Sequence, residues 1–466
     1  MNADINARVS RMFDTQSLAL LAPALDTLAA RHAELPPVAT PAQPAADDAA
    51  MAAVLQQVAV RMQDNYPYGH PLYAGQMLKP PHPVARLAYA LAMFVNPNNH
   101  ALDGGRASSA MEREAVAGIA RMFGWDAHLG HLTGGGTMAN AEALWVAREL
   151  HPGRRIVASA QAHFTHSRLT QVLRTPFASV DCDACARMDL AALQAELAAG
   201  DVGTVVVTLG TTAAGAVDPL PQILALRQRY GFRVHVDAAY GGYHTLCGNL
   251  GPEARAAFDV IGQADSIVVD PHKHGLQPYG CGSVLFKDPS VGRFYKHDSP
   301  YTYFSSNELH LGEISLECSR AGATAVALWA TMQLFPLQRG GAFAQGLEAS
   351  REAALALHGR LRGDARFLTA LAPELDIVIW APRGSSASEV SARSQAIFEA
   401  AARQDLHLAV ASFPKTMFPD WPLAWDRDDV LCLRSCLMKP EHLAWLNELW
   451  ARLDRATAES AAAPFL

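Results

Sequence analysis

The residue with the most chemical promise is a lysine in the stretch "SIVVDPHKHG", Ser266 to Gly275. Ser266-Ile267-Val268-Val269 has the β-branched character of a buried strand, and Pro271 ends it. Lys273 therefore sits at a strand's carboxyl end, where α/β sheets bind ligands. On its own it reads more simply as an exposed turn lysine. Four other motifs end strands or begin helices in the same way. "HLTGGGTMAN" runs three glycines, Gly134 to Gly136, into Thr137 and a helix, a form in which backbone N–H groups, the helix dipole and the Thr137 hydroxyl can hold a phosphate. It is no Walker motif, since no Gly-Lys-Ser/Thr follows. "FRVHVDAAYGGY" ends an apolar strand in Asp237 and follows it with Ala238 and Ala239, so that a carboxylate can meet a flat ligand closely. "ASAQAHFTHSRL" places His163 after a strand, able to stack on a planar ring or to shuttle a proton. "VVVTLGTTAAGAVDPL" brings the hydroxyls of Thr211 and Thr212 to the same edge. Each has a plain structural alternative: a helix cap, a turn cap or a packed histidine.

Taken together they meet the needs of one cofactor. Pyridoxal 5'-phosphate asks for a phosphate cradle, a carboxylate for its pyridinium nitrogen, a flat partner for its ring and a lysine for an imine. The elements that must position these groups alternate. "RRIVAS", "GTVVVTLG", "FRVHVDAAY", "DSIVVD" and "GSVLF" are short strand-like runs separated by helical ones, the pattern of a mostly parallel sheet covered on both faces. The reading is an α/β chain in three parts. A helical and extended N-terminal segment spans 1–100, with a Pro/Ala-rich linker "ELPPVATPAQPAADDAA" and a second helix from about Met51 to Gln63. A large cofactor-binding domain spans 101–340. A small α+β C-terminal domain spans 341–466, with a long Ala-rich helix, the strands "LDIVIWA" and "DVLCLRSCLM", and a final helix.

Composition bounds the function classes. The chain has 466 residues, 50% hydrophobic and 18% charged, with net charge −7, which gives no electrostatic footing for nucleic acid. No apolar run reaches membrane-spanning length and the N-terminus lacks an apolar signal core, so a cytoplasmic protein with no membrane partner is expected. Seven cysteines do not make a disulfide framework. The lone Cys182-x-x-Cys185 has neither the second pair of a zinc site nor a thioredoxin-like context, and no metal is expected there.

The motifs in this order resemble those of the pyridoxal-phosphate-dependent group II amino-acid decarboxylases, fold type I (aspartate aminotransferase-like), over about Tyr66 to Pro440. "HVDAAYGGY" and "DPHKHG" are close to that family's ring-nitrogen and Schiff-base motifs, "GGGTMAN" to its phosphate loop and "LGTTAAGAVDPL" to its LGTT segment. The likeness is greatest to the bacterial tyrosine decarboxylase branch. The resemblance implies that Lys273 carries the cofactor imine, Asp237 pairs with the pyridinium nitrogen and His163 stacks on the ring. Gly136 and Thr137 then bind phosphate with His272 beside them, Ala239 packs against the ring and Thr212 lies near His163. It also implies an arginine near the substrate carboxylate, Arg434 in "LCLRSCLMKP", and a catalytic tyrosine in "KHDSPYTYF", where Tyr301 is preferred over Tyr303. "LECSRAGA" resembles a segment that reaches a neighbouring subunit's cofactor, which implies a homodimer. The expected activity is decarboxylation of an L-amino acid to its amine. "YPYGHPLYAGQM" and "NPNNHALDGG" offer Tyr73 and His100 to the substrate pocket, and a tyrosine-like aromatic substrate is favoured. An acidic amino acid, or a carbon–carbon cleavage of the sphingosine-phosphate lyase kind, is the alternative.

Overall fold

The computed structural model describes residues 15–36, 47–296 and 311–462. Tyr301 and Tyr303 lie outside the described residues. Seven strands form the large sheet: β1 (Leu129–Thr133), β2 (Arg155–Ser159), β3 (Phe177–Val180), β4 (Val202–Thr208), β5 (Arg233–Asp237), β6 (Ser266–Val269) and β7 (Gly282–Phe286). Their order is β1-β7-β6-β5-β4-β2-β3. The pairs from β6 through β3 are parallel, and β7 runs antiparallel to both β1 and β6. Every residue of β4, β6 and β7 is buried, as the unbroken apolar runs require of a sheet covered on both faces.

Register decides what the sheet edge presents. Thr208 pairs with Asp237 and Asp237 with Val268, so β4, β5 and β6 end level. The loops that leave them, Leu209–Thr212, Ala238–Tyr240 and Asp270–Lys273, emerge side by side. β1 points the same way, and the turn after it opens the helix Gly136–Leu150 at that edge. Gly135 has φ 151°, a conformation open to glycine, and this lets the chain turn directly from strand into helix.

A second, antiparallel sheet has the order β10-β11-β9-β8, with β8 (Phe367–Thr369), β9 (Ile377–Pro382), β10 (Ala409–Pro414) and β11 (Asp429–Cys436). The helices Ala342–Gly363, Ala387–Arg403 and His442–Ala462 pack on it. The core between them holds Trp380, Leu361, Ile397 and Leu453, with the Trp380 indole N–H donating to Ser435 Oγ at 3.1 Å. This is the expected α+β unit beside a mostly parallel sheet. One boundary moves. The second N-terminal helix starts at Asp48 rather than near Met51, because the Asp47 carboxylate caps it by accepting from the Ala50 N–H at 2.6 Å. No helix of the described residues is long and apolar enough to cross a membrane.

Candidate active site

The level strand ends enclose a cavity of about 470 Å³. Its lining includes Gly136, Thr137, His163, Thr212, Asp237, Ala239, His272 and Lys273, so eight residues from five separate motifs share one wall. A larger cleft of about 730 Å³ contains no lysine, and its Arg187 is held by Glu253 and Glu374.

Lys273 Nζ lies 3.0 Å from Asp270 Oδ2, and the lysine side chain is one-fifth exposed towards the cavity. The turn that carries both is set by a backbone bond from the Lys273 N–H to the Asp270 carbonyl, and Pro271 between them keeps the strand from continuing. On the far side of Asp270 is the glycine turn: a Cβ on Gly136 would come within 2.6 Å of the Asp270 carboxylate. Helix start, carboxylate and lysine are thus packed without room for a side chain at Gly136.

Asp237, the last residue of β5, receives hydrogen bonds from three sides. His166 Nε2 lies 2.8 Å and Asn140 Nδ2 3.3 Å from Oδ2, and the Ala239 N–H donates to Oδ1 at 3.1 Å. Burial by itself raises the carboxyl pKa. The His166 hydrogen bond and the electrostatic attraction of His166 and Lys273 outweigh it and hold Asp237 well below the usual carboxylate range. An ionised carboxylate only accepts, and this fixes the directions around it. Asn140 donates through its NH2, so its Oδ1 accepts from His235 Nε2–H at 2.8 Å, and His235 Nδ1 accepts from the Ser266 hydroxyl at 2.9 Å. His235 is neutral, since burial, with His166 beside it, pushes its pKa down to about 3. The result is a one-way chain of donors that ends on Asp237.

His163 is anchored by its Nδ1, which lies 2.8 Å from Thr165 Oγ1 and accepts from the Thr165 N–H at 3.3 Å. Its pKa is lowered, chiefly by burial. His272 stacks on Tyr279, ring centroids 4.6 Å apart, with Nε2 3.5 Å from Asp270 Oδ2.

The family model described as the pyridoxal-dependent decarboxylase conserved domain matches residues 138–381, just over half the chain. The chain belongs to the pyridoxal-dependent decarboxylase family. It is 29% identical over 381 residues to an L-tyrosine decarboxylase of Enterococcus faecium, covering 60% of this chain and 62% of that protein. It is 32% identical over 257 residues to a probable L-aspartate decarboxylase of Halobacterium salinarum, covering 54% of this chain and 70% of that protein. The chain thus spans about three-fifths of the length of the tyrosine decarboxylase relative. In fold it resembles the crystal structure of Oryza sativa TDC with PLP and tryptamine, with a TM-score of 0.76 at 19% identity over 96% of this chain and 98% of that one.

The family's cofactor fits the residues present. Gly135 and Gly136 leave a turn open at a helix N-terminus, Asp270 Oδ1 and His272 Nδ1 are buried without a partner next to it, and Lys273 and Asp237 both face the cavity. The residues proposed for substrate lie elsewhere in the single chain. Arg434 is buried, its guanidinium donating to the carbonyls of Gly75 at 3.0 Å and Ala213 at 3.1 Å, with Nη2 left unpartnered one residue behind Thr212. The Tyr73 hydroxyl accepts from the Gln76 N–H, and the ring packs edge-on against Tyr68. The His100 carbonyl accepts from the Gly312 N–H. Arg434, Tyr73 and His100 are not among the cavity's lining residues.

Sequence reasoning missed Asp270, His166, Asn140 and His235. Two signals were there to be read. His235 precedes Asp237 by two on a strand, which puts both on one face, and His166 follows His163 by three, one turn of helix away.

Proposed function

We propose that this chain is a pyridoxal-phosphate-dependent carboxy-lyase that converts an L-amino acid and a proton to the amine and carbon dioxide, with a tyrosine-like aromatic substrate. The observation that carries the reading is the pairing of Lys273 with an ionised Asp237 across one cavity. The bound cofactor supplies an electron sink for the pair left when the carboxylate departs. The chain's own residues do the rest. Lys273 presents an amine for a carbonyl and Asp270 holds it. Asp237 keeps a proton on a heteroaromatic nitrogen, His163 offers a flat face, and the Gly135–Thr137 turn gives N–H donors to a phosphate. A tyrosine of segment 297–310, Tyr301 first and Tyr303 second, is the proposed donor to the former α-carbon. The likeness to an L-tyrosine decarboxylase and a phenol-rich N-terminal segment support the aromatic substrate. The likeness to a probable L-aspartate decarboxylase favours an acidic substrate as the second reading.

The proposed assembly is a cytoplasmic homodimer. The dimer is supported by the helix Asp48–Met62, where Met51 is nearly half exposed and Val54, Leu55 and Val58 more than half. The deciding experiment is a screen of amino acids for released carbon dioxide and amine, with Lys273→Ala as control. Borohydride should fix the cofactor to the wild type and not to the variant. Labelling of the variant, or no carbon dioxide from any amino acid, overturns the assignment.

A further inference from the structure

Directly behind the cofactor lysine is a second cluster that the proposed reaction does not use. His274, the residue after Lys273, meets His244 from the turn Gly242–Leu246 and Asp376 from the residue before β9. All three side chains are fully buried. His274 Nε2 lies 3.3 Å and His244 Nε2 3.8 Å from Asp376 Oδ2, and the two rings stand 4.7 Å apart at 85°.

At 3.8 Å His244 is beyond hydrogen-bond reach, and at 3.3 Å the His274 ring nitrogen makes no aligned hydrogen bond to the carboxylate. Neither Nε2 and neither Nδ1 of the two histidines has a hydrogen-bond partner among the described residues, and Asp376 Oδ2 has none either. Buried polar atoms left without a partner are costly. The carboxylate's charge is also unmet. Among the described residues no lysine or arginine nitrogen comes within ion-pair distance of Asp376, although the charges of Lys79 and Arg351 reach the cluster. One occupant answers both problems. Donor atoms about 2.0–2.1 Å from a tetrahedral cation stand roughly 3.4 Å apart; the carboxylate oxygen here lies 3.3 and 3.8 Å from the two ring nitrogens, and ligand atoms of all three residues lie within 4.8 Å of one another. Two imidazoles and one carboxylate suit zinc and its first-row neighbours rather than magnesium or calcium. The other carboxylate oxygen accepts from the Tyr240 hydroxyl at 2.5 Å, which orients the carboxylate from behind.

We propose that His244, His274 and Asp376 bind one divalent first-row transition-metal cation of the zinc class. The ion is structural, since its ligands are sealed from the cavity, and it clamps the small sheet to the large one immediately behind Lys273.

The test is elemental analysis of untagged holoenzyme purified without chelator, before and after dialysis against zinc and removal of the excess. The expected result is about one tightly held metal per chain. Asp376→Asn and His274→Gln should lose it. Cys182→Ser should keep it, which separates the site from thiol-bound metal. A strong chelator should lower the Tm of the wild type and leave that of Asp376→Asn unmoved. Wild-type protein that neither carries nor takes up stoichiometric metal overturns the proposal, whatever the variants do. So does stoichiometric metal that survives both ligand substitutions.

Discussion

Asp237 and Asp376 are both buried carboxylates, one lining the cavity with Lys273, the other facing its chain neighbour His274. Their surroundings are opposite. Asp237 takes hydrogen bonds from His166, Asn140 and the Ala239 N–H, and the histidine behind it is satisfied by Asn140 and Ser266. Asp376 takes one from Tyr240, and the two imidazoles opposite it stand off unbonded. A carboxylate ringed by donors is held charged and aimed, ready for a protonated ring nitrogen. A carboxylate opposed only by unbonded ring nitrogens calls for a cation. In the readings proposed above, neighbouring residues on one turn, Lys273 and His274, serve covalent chemistry on one side and cohesion on the other.

The largest expected effect tests the charge at Asp237. Asp237→Asn keeps the shape and loses the charge. An ion pair at about 4 Å with an effective dielectric of about 20 is worth roughly 4 kcal/mol, so kcat should fall about a thousandfold while borohydride still fixes cofactor to Lys273. If kcat stays within tenfold of wild type, the donor ring does not matter to the chemistry. Next comes His166, which acts through Asp237. His166→Phe removes one hydrogen bond to a charged group, about 1.5–3 kcal/mol, so kcat should drop roughly ten- to a hundredfold with KM little changed. His166→Gln, which keeps an N–H donor, should recover part of the loss. Equal KM and kcat effects in both variants would mark His166 as packing alone.

The last effect, small in any one pH unit, is on acid stability. Folded His235 has a pKa of about 3 against 6.5 when free, so between those values the unfolded chain takes up a proton that the folded chain does not. Stability therefore falls as pH is lowered from 6.5 towards 3, by at most about 1.4 kcal/mol per pH unit from this one group. His235→Gln should flatten the wild-type curve of stability against pH in that window. Parallel curves would mean that the buried chain tolerates a charged His235.

Much of the cavity was legible because its parts end strands. Apolar β-branched runs with a polar residue at the carboxyl end mark level sheet edges, and this places Lys273, Asp237, His163 and the glycine turn together from the sequence. Asp270 was hidden by its double role: three residues before Lys273 it reads as a strand terminator, yet it is the lysine's ion-pair partner. Tyr73 and His100 were read as pocket residues from their polarity; in the single chain neither lines the cavity, the Tyr73 hydroxyl accepting from the Gln76 N–H and the His100 Nδ1 lying buried without a partner.

The sequence by itself determined the layered α/β architecture and the cofactor constellation, because strand periodicity, helix starts and the residues that interrupt them are local properties of the chain. Only the tertiary structure decided which groups act on those residues. His166 reaches Asp237 across 71 positions and Asp376 reaches His274 across 102. No local pattern records such pairs. They exist because parallel strands bring distant segments level, and because burial leaves each polar group to the few partners that packing delivers.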